Sequence, residues 1–215
     1  LLVLIVTACG VFGPRTFNED GSDASPFSFE YPPSWEVLHD NGSTWAFKDA
    51  EEIEFSDDGQ LTGFFAGTVG VGVTILTPEM LVEEYGASNM LPAEMMDEKY
   101  EEFQAMWQAS QEGDLEELNR LNGLVSVINQ PPVLVPNVYE SPTAVQYCDK
   151  EVIVLKAEDY ITSPVFSPFR KSWWGLTIID DQVIQIVALA DQADEETFAE
   201  NFESIICSLE VHKSE

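Results

Sequence analysis

Strand patterns lie on both sides of a central helical stretch. Phe27–Tyr31 alternates apolar and polar residues as a half-buried strand does, and a β-rich run interrupted by glycines extends over residues 64–77. Helices are expected at 78–85 and 92–111, and a last helix at 194–206. The order strands, helices, strands, helix is typical of an α+β fold, so we expect a central antiparallel sheet flanked by helices.

Local signals set several element boundaries. Thr77 is a suitable N-cap for the first helix, and Pro78 suits its first helical position. Gly113 ends the second helix, and Asp114 with Glu117 three residues later predicts a restart. After the helices the sequence predicts six short strands, at 124–128, 133–138, 143–147, 152–157, 173–179 and 183–190. The last two form a hairpin across Asp180-Asp181.

Four glycines fall within or beside the early β-rich run, at Gly63, Gly67, Gly70 and Gly72. A phosphate-binding loop needs a helix N-terminus after its glycines, and here the run continues as a strand with no lysine following. The glycines are therefore expected to permit bends or close packing within a sheet.

The first eight residues are apolar or small and carry no charge, as at the end of a signal-peptide apolar region. The run 6–10, Val-Thr-Ala-Cys-Gly, overlaps the end of this segment and resembles a bacterial lipobox, in which the cysteine sulfur, here that of Cys9, receives a diacylglyceryl group. We expect a truncated signal segment at 1–8, a lipidated Cys9 with a flexible tether over 9–25, and a single domain over 26–215. The alternative is that residues 1–7 form a buried first strand.

The other two cysteines, Cys148 and Cys207, form an even pair in an exported domain, where disulfides are permitted. Cys148 falls in a strand-like segment and Cys207 at the end of the terminal helix, so a bridge would join helix to sheet. Two buried thiols are the alternative, because unpaired cysteine is a common core residue.

The charge balance of the 215 residues excludes some functions. The chain has 39 acidic and 9 basic side chains and a formal charge of -30, which argues against nucleic-acid binding through a basic face. The sequence leaves open three explanations of this acidity: adaptation to high salt, a cationic partner, and repulsion from anionic lipid. No hydrolase or zinc motif is present, so we expect neither an enzyme nor a cofactor.

The densest acidic segment is a loop at 51–58. Its carboxylates are Glu51, Glu52, Glu54, Asp57 and Asp58. Hard cations prefer oxygen ligands, so Asp57 and Asp58 are weak candidates for calcium ligands, although the spacing is not that of an EF-hand. A solvated acidic face is the simpler interpretation.

A second candidate region combines aromatic rings with the only adjacent pair of basic residues in the chain. Its members, which we call the aromatic–basic surface, are Phe166, Phe169, Arg170, Lys171, Trp173 and Trp174. Adjacent tryptophans on a strand point to opposite faces. This segment is a candidate contact surface for a ligand, glycan or protein partner. The alternative is that a helical layer on each face of the sheet covers one tryptophan.

Two terminal segments are similar to those of bacterial PsbP-like lipoproteins. The stretch 27–35, FSFEYPPSW, resembles an opening F-x-x-x-Y-P-x-x-W pattern, and 202–211, FESIICSLEV, resembles a terminal helix with an Ile-x-x-Ser-Leu signature. The hairpin at 176–190 is similar to the strand pair that precedes that helix. The resemblance implies an αβα sandwich and no specific activity.

We therefore expect a non-enzymatic binding or accessory domain, held outside the cytoplasm on a bacterial membrane by the lipid on Cys9. A protein or glycan is the expected partner. The alternative is a calcium-binding or small-molecule-binding lipoprotein that uses the loop 51–58.

Overall fold

The computed structural model describes residues 13–17, 26–40, 43–48, 53–55, 61–64, 69–86, 89–121, 134–161, 169–191 and 195–212. The strands of these segments are β1 Arg15–Phe17, β2 Phe27–Tyr31, β3 Glu36–Asp40, β4 Ser43–Lys48, β5 Ile53–Phe55, β6 Leu61–Phe64, β7 Val69–Leu76, β8 Leu134–Asn137, β9 Thr143–Tyr147, β10 Lys150–Ile161, β11 Phe169–Ile179, β12 Gln182–Asp191 and β13 Glu210–Val211. The helices are α1 Pro78–Tyr85, α2 Pro92–Glu112, α3 Leu115–Leu121 and α4 Glu195–Ser208.

Eight strands form the main sheet, in which neighbours pair antiparallel. Its order is β3-β4-β7-β12-β11-β10-β8, and β9 pairs with the other end of the long strand β10. A small sheet has the order β1-β2-β13, and β5 pairs with β6. The predicted α+β fold with a central antiparallel sheet flanked by helices is confirmed.

Side-chain alternation along the strands divides the apolar core between the two faces of the main sheet. On the α4 face, Val152 and Val154 of β10 pack with Phe198 and Phe202 of α4 and with β2 of the small sheet. On the opposite face, which we call the α2 face, Leu155 packs with residues of α1, α2 and α3. The sheet is therefore buried on both sides along its central strands.

The predicted helix signals have the expected geometry. The Thr77 hydroxyl accepts a hydrogen bond of 3.3 Å from the Met80 N–H, and Gly86 ends α1 with a φ of 74°. Gly113 ends α2 with a φ of 71°, and the Asp114 carboxylate then accepts a bond of 3.0 Å from a backbone N–H of α3. Left-handed backbone favours glycine because a Cβ would be strained there, which explains why both helices end at glycine.

Two of the early glycines provide room for aromatic rings, as the close-packing interpretation predicted. Gly70 and Gly72 of β7 lie opposite Phe47 and Trp45 of β4 in the strand register. The two rings stack with centroids 5.4 Å apart at an interplanar angle of 5°, and a Cβ at Gly72 would lie 2.5 Å from the Trp45 ring. The rings thus lie directly against the backbone of β7.

Some predicted boundaries are wrong. Arg15–Phe17, expected within the flexible tether 9–25, forms β1, because Phe17 is apolar and packs 5.9 Å from Phe27 and 5.4 Å from Phe29, between ring centroids. Cys148, expected in a strand, lies in the turn between β9 and β10 with a φ of 52°. Residues 1–12 and the strand expected at 124–128 lie outside the described residues. Within the described segments, no helix is long and apolar enough to cross a membrane.

Candidate functional site

The pairing of β10 with β11 determines where the aromatic–basic surface lies. Lys156 is directly opposite Trp173, and Glu158 is directly opposite Lys171. Opposite residues in an antiparallel pair share one face of the sheet. Lys156 is therefore close enough to interact with Trp173, and Lys171 is close enough to interact with Glu158.

Trp173 and Trp174 point to opposite faces of the sheet, and helical layers cover both. The Trp173 ring is 6% exposed and meets Phe198 of α4 edge-on at 5.0 Å between centroids. The half-buried Trp174 ring meets Phe103 of α2 edge-on at 5.6 Å. This is the alternative given in the sequence analysis, in which a helical layer on each face covers one tryptophan, because both faces of the sheet pack against helices.

Other members of the aromatic–basic surface are placed only in part. Arg170 occupies the register position opposite Asp159 in β10 and opposite Asp191 in β12, and Phe169 lies opposite Tyr160. Phe166 lies outside the described residues. Of the predicted members, Lys171 and one face of Trp173 reach a recess.

This recess lies on the α4 face, between the β8–β9 connection and the β10–β11 pair. We call it the lysine cleft. Its volume is about 310 Å³, and it is lined by Tyr139, Glu140, Lys156, Ala157, Glu158, Lys171 and Trp173. That volume is at the lower end of the range found for small-molecule sites.

An aromatic ring and a carboxylate fix the polar groups of the lysine cleft. The Lys156 ammonium is 4.1 Å from the centroid of the Trp173 ring, a cation–π contact of about 0.5–2 kcal/mol. The Tyr139 hydroxyl donates a hydrogen bond of 3.3 Å to the Glu158 carboxylate. The pKa of Tyr139 is raised, first by removal of the hydroxyl from water and then by the charge of Glu158 and its hydrogen bond. A phenol with the ordinary pKa of about 10 is already protonated at neutral pH, so the Tyr139 hydroxyl is a donor there.

The lysine cleft is unusual for this chain because of its charge. Four of the nine basic residues, Lys150, Lys156, Arg170 and Lys171, belong to the β10–β11 pair, and Lys156 and Lys171 share the cleft. Two of their ammonium groups line the cleft, beside the carboxylates Glu140 and Glu158. Formal charges within the cleft therefore sum to zero, although the whole chain carries -30. The two ammonium groups can pair with an anionic group of a ligand at the edge of the Trp173 ring.

Sequence reasoning missed five residues of the lysine cleft, Tyr139, Glu140, Lys156, Ala157 and Glu158. A signal for two of them was present, because Lys156 and Glu158 continue the inward alternation of Val152 and Val154 with charged residues. No local pattern predicted that the β8–β9 connection would come beside them.

The two predicted partner cysteines are joined in the structure. The Cys148–Cys207 disulfide has a Cα–Cα distance of 5.6 Å and links the β9–β10 turn to the last turn of α4. The Lys150 ammonium donates to the Cys207 carbonyl at 3.2 Å and to the Asp149 carboxylate at 3.0 Å, and this neighbour lowers the pKa of Asp149. The helix end is therefore attached to the sheet by a covalent bond and by a charged hydrogen bond.

The remaining predicted site residues lie outside the described residues. They are Cys9, Asp57 and Asp58. Across the segments that are described, no group of three or more histidine, cysteine or carboxylate side chains is positioned to hold a metal ion. The expected loop 51–58 is wrong in part, because the alternating residues Ile53–Phe55 form β5 and pair with β6. Lipidation of Cys9 and calcium binding at 51–58 stay predictions.

No protein-family model matches this sequence, and no curated protein matches it.

Several solved structures are similar in fold at low identity. A protein of Bacteroides thetaiotaomicron VPI-5482 has 12% identity and a TM-score of 0.44 over 93% of this chain, which spans about half, 49%, of that protein. The cyanobacterial PsbP (CyanoP) of Synechocystis sp. PCC 6803 has 10% identity and a TM-score of 0.46, covering 96% of this chain and 99% of its own. The Ran-binding protein Mog1p of Saccharomyces cerevisiae has 12% identity and a TM-score of 0.42, covering 93% and 95%.

A PsbP is thus among the structures that this chain is similar to, in agreement with the resemblance of its terminal segments. The likeness concerns the α+β architecture. At TM-scores below 0.5 it supports no inference about activity, so the functional argument depends on this chain's own residues.

Proposed function

We propose that this chain is a lipid-anchored, extracytoplasmic binding domain without catalytic activity, and that the lysine cleft contacts an anionic group of its ligand. The observation that carries the proposal is the convergence of Lys156 and Lys171 on one recess of a chain with a charge of -30.

The cleft favours a small ligand with one anionic group, such as a carboxylate. A hydrogen bond to a charged group contributes about 1.5–3 kcal/mol, and Trp173 offers an apolar surface beside it. Because the chain as a whole repels anions, a macromolecule with many negative charges would be disfavoured. A single carboxylate would meet the local ammonium groups at short range, while the distant carboxylates are screened beyond about 8 Å at physiological salt.

The expected location is supported by two features. The lipobox-like run ends at Cys9, and the disulfide between Cys148 and Cys207 suits an oxidising compartment outside the cytoplasm. β1 begins at Arg15, six positions after Cys9 (15 − 9), so the connecting chain reaches about 20 Å at most. A lipid on Cys9 would therefore hold the domain close to the membrane surface.

The anchor is tested by intact mass of the protein taken from a membrane fraction, before and after reduction. We expect a diacylglyceryl adduct on Cys9 and a gain of two hydrogens on reduction. A Cys9→Ser variant should lose the adduct and leave the membrane fraction. A soluble, unmodified chain that retains residues 1–8 would contradict the anchor.

The lysine cleft is tested by NMR titration with acetate, glucuronate and inorganic phosphate, with tetramethylammonium as the cationic control. We expect the carboxylates to shift the Trp173 indole N–H resonance, and Lys156→Ala and Lys171→Ala each to weaken binding by about tenfold, or about 1.4 kcal/mol. Lys48→Ala is the matched control, because Lys48 is an exposed lysine of β4 that does not line the cleft.

Equal weakening by Lys48→Ala would show general charge effects and would contradict the proposed site. The absence of any shift at millimolar carboxylate would also contradict it. A preference for phosphate over carboxylate would instead change the ligand class.

A further inference from the structure

A second recess lies on the α2 face, at the opposite end of the β10–β11 pair. We call it the apolar groove. Its volume is about 620 Å³, within the range of sites for small organic ligands, and the start of α2 forms one wall. The described residues that line it are Leu91, Pro92, Ala93, Asp149, Lys150, Glu151, Ile153, Leu176, Thr177, Ile178, Ile179 and Asp180.

The floor and one wall of the apolar groove are aliphatic, and polar side chains form the rest of its lining. Leu176 is fully buried at its floor, and Ile153 is half-buried beside it. Leu91 is 59% exposed and Ile178 is 51% exposed, and they are two of the four large apolar side chains that are exposed within the described segments. Exposed apolar side chains that converge on one recess are typical of a binding site, whereas scattered ones need no explanation.

The floor is also fixed in place. The Thr177 hydroxyl, on a residue that is 2% exposed, donates a hydrogen bond of 2.7 Å to the Glu151 carbonyl, which ties β11 to β10 under the groove. The Glu94 carboxylate accepts a bond of 3.0 Å from the Leu91 N–H and so fixes the first turn of α2. Hydrogen bonds therefore hold the strands and the helix start that form the groove.

The rim of the apolar groove is acidic. Asp149, Glu151 and Asp180 line it and are exposed to solvent. The only lysine of the lining, Lys150, is directed elsewhere, because its ammonium is hydrogen-bonded to the Cys207 carbonyl at the end of α4 and to Asp149. Its side chain is 13% exposed. The rim therefore presents more negative than positive charge to a ligand in the groove.

We propose that the apolar groove binds a small organic cation, with its apolar body against Leu91, Leu176 and Ile178 and its cationic group at the carboxylates of Glu151 and Asp180. Hydrophobic burial provides the attraction, and the rim selects the sign of the charge. This proposal does not depend on the lysine cleft, which lies on the other face of the sheet and has ammonium groups. The two recesses differ in chemistry and bind ligands of opposite charge.

The test uses the full domain with methyl-labelled isoleucine and leucine, titrated with a matched pair of probes that differ in charge. The probes are 1-naphthylmethylammonium and 1-naphthoate. We expect the cation to shift the methyl resonances of Ile178, Ile153 and Leu176 in a saturable way. We expect the anion to bind at these methyl groups at least tenfold more weakly.

Two sets of variants separate the apolar and charged contributions. Ile178→Ser should weaken binding of the cationic probe by about tenfold. Val82→Ser, at an exposed valine of α1 that does not line the groove, should leave this affinity unchanged. Glu151→Gln with Asp180→Asn should reduce the preference for the cation to about twofold or less. Asparagine is chosen at 180 because that residue has a φ of 50°, which asparagine tolerates.

Methyl resonances that stay unshifted with both probes at millimolar concentration would overturn the groove as a binding site. Equal affinity for the two probes in the unmodified domain would overturn the cation selectivity. Binding that Val82→Ser weakens as much as Ile178→Ser would show non-specific adsorption and would also overturn the proposal. The melting temperature of each variant shows whether it is folded.

Discussion

The two faces of the main sheet are covered by different kinds of side chain. On the α4 face, Phe198 and Phe202 are fully buried and meet Trp173 edge-on. On the α2 face, helix α2 contributes the buried methionines Met95, Met96 and Met106. Aromatic rings have few rotamers and defined packing geometry, whereas methionine is flexible and adapts to irregular gaps. The α4 face is therefore expected to be the more rigid half of the molecule.

Covalent and polar contacts increase the difference between the faces. The Cys148–Cys207 bridge attaches α4 to the sheet, and no disulfide holds α2 among the described residues. On the α2 face a lysine, Lys99, lies 5.8 Å from the ring centroids of Tyr85, Phe103 and Trp174. Among the described residues, the lysine cleft on the α4 face has charged and aromatic residues, and the apolar groove on the α2 face has aliphatic and acidic residues. The comparison indicates that the two recesses differ in chemistry because different helices cover the two sides of the sheet.

The largest expected effect comes from truncating one buried side chain on each face. Phe202→Ala should lower the free energy of unfolding by about 3–5 kcal/mol, because the ring is fully buried and contacts Trp173 and Tyr147. Met106→Ala should cost less, about 2 kcal/mol, since neighbouring methionines can move into part of the space. Urea denaturation followed by circular dichroism measures both values. Equal losses of unfolding free energy for the two variants would contradict the expectation that the α4 face is rigid and the α2 face is adaptable.

Removal of the disulfide should have the next largest effect. The double variant Cys148→Ser with Cys207→Ser is expected to lose about 2–4 kcal/mol of stability, because the bridge closes a separation of 59 residues in the unfolded chain. Amide hydrogen exchange should accelerate more in α4 than in α2. The reduced unmodified domain provides the control and should behave like the double variant. Equal acceleration in both helices would show that the two faces unfold together.

The smallest expected effect is a pH dependence on the α4 face. Burial, and then the charge of Glu203, raises the pKa of Tyr147 above the ordinary value of 10.0. The associated stability is therefore fully present below the unfolded pKa of about 10 and is lost as the pH rises through the higher folded pKa. Tyr147→Phe should flatten the decline in stability at alkaline pH, and adding Tyr139→Phe, whose phenol pKa is also raised, should flatten it further.

Melting temperatures measured between neutral and alkaline pH test this effect. A decline in the double tyrosine variant as steep as that of the unmodified domain would contradict the assignment and would indicate that other groups cause the loss.

Much of the fold could be predicted because its signals are local. Thr77, Pro78 and Gly113 gave the helix boundaries, since capping and left-handed backbone involve residues a few positions apart. The opposite directions of Trp173 and Trp174 follow from the period of a strand. The errors occurred where a distant contact decides the outcome: Phe17 was expected in a tether, and it is ordered by Phe27 and Phe29 of another strand.

The candidate sites were less predictable than the fold. The sequence indicated Lys171 and Trp173 but gave no local signal for Tyr139, which comes beside them only through the pairing of β8, β10 and β11. The apolar groove was missed entirely, since its walls come from the start of α2 and from strands more than fifty positions later.

The sequence by itself determined the α+β class, the helix ends and the division of each strand into two faces, and it suggested the pairing of Cys148 with Cys207. Tertiary structure alone decided which strands are neighbours, which tryptophan faces which helix, and where two recesses remain open. The physical reason is that periodicity and capping depend on short-range geometry, which specifies the face on which a side chain lies. The partner on that face is selected by the packing of segments far apart in the chain.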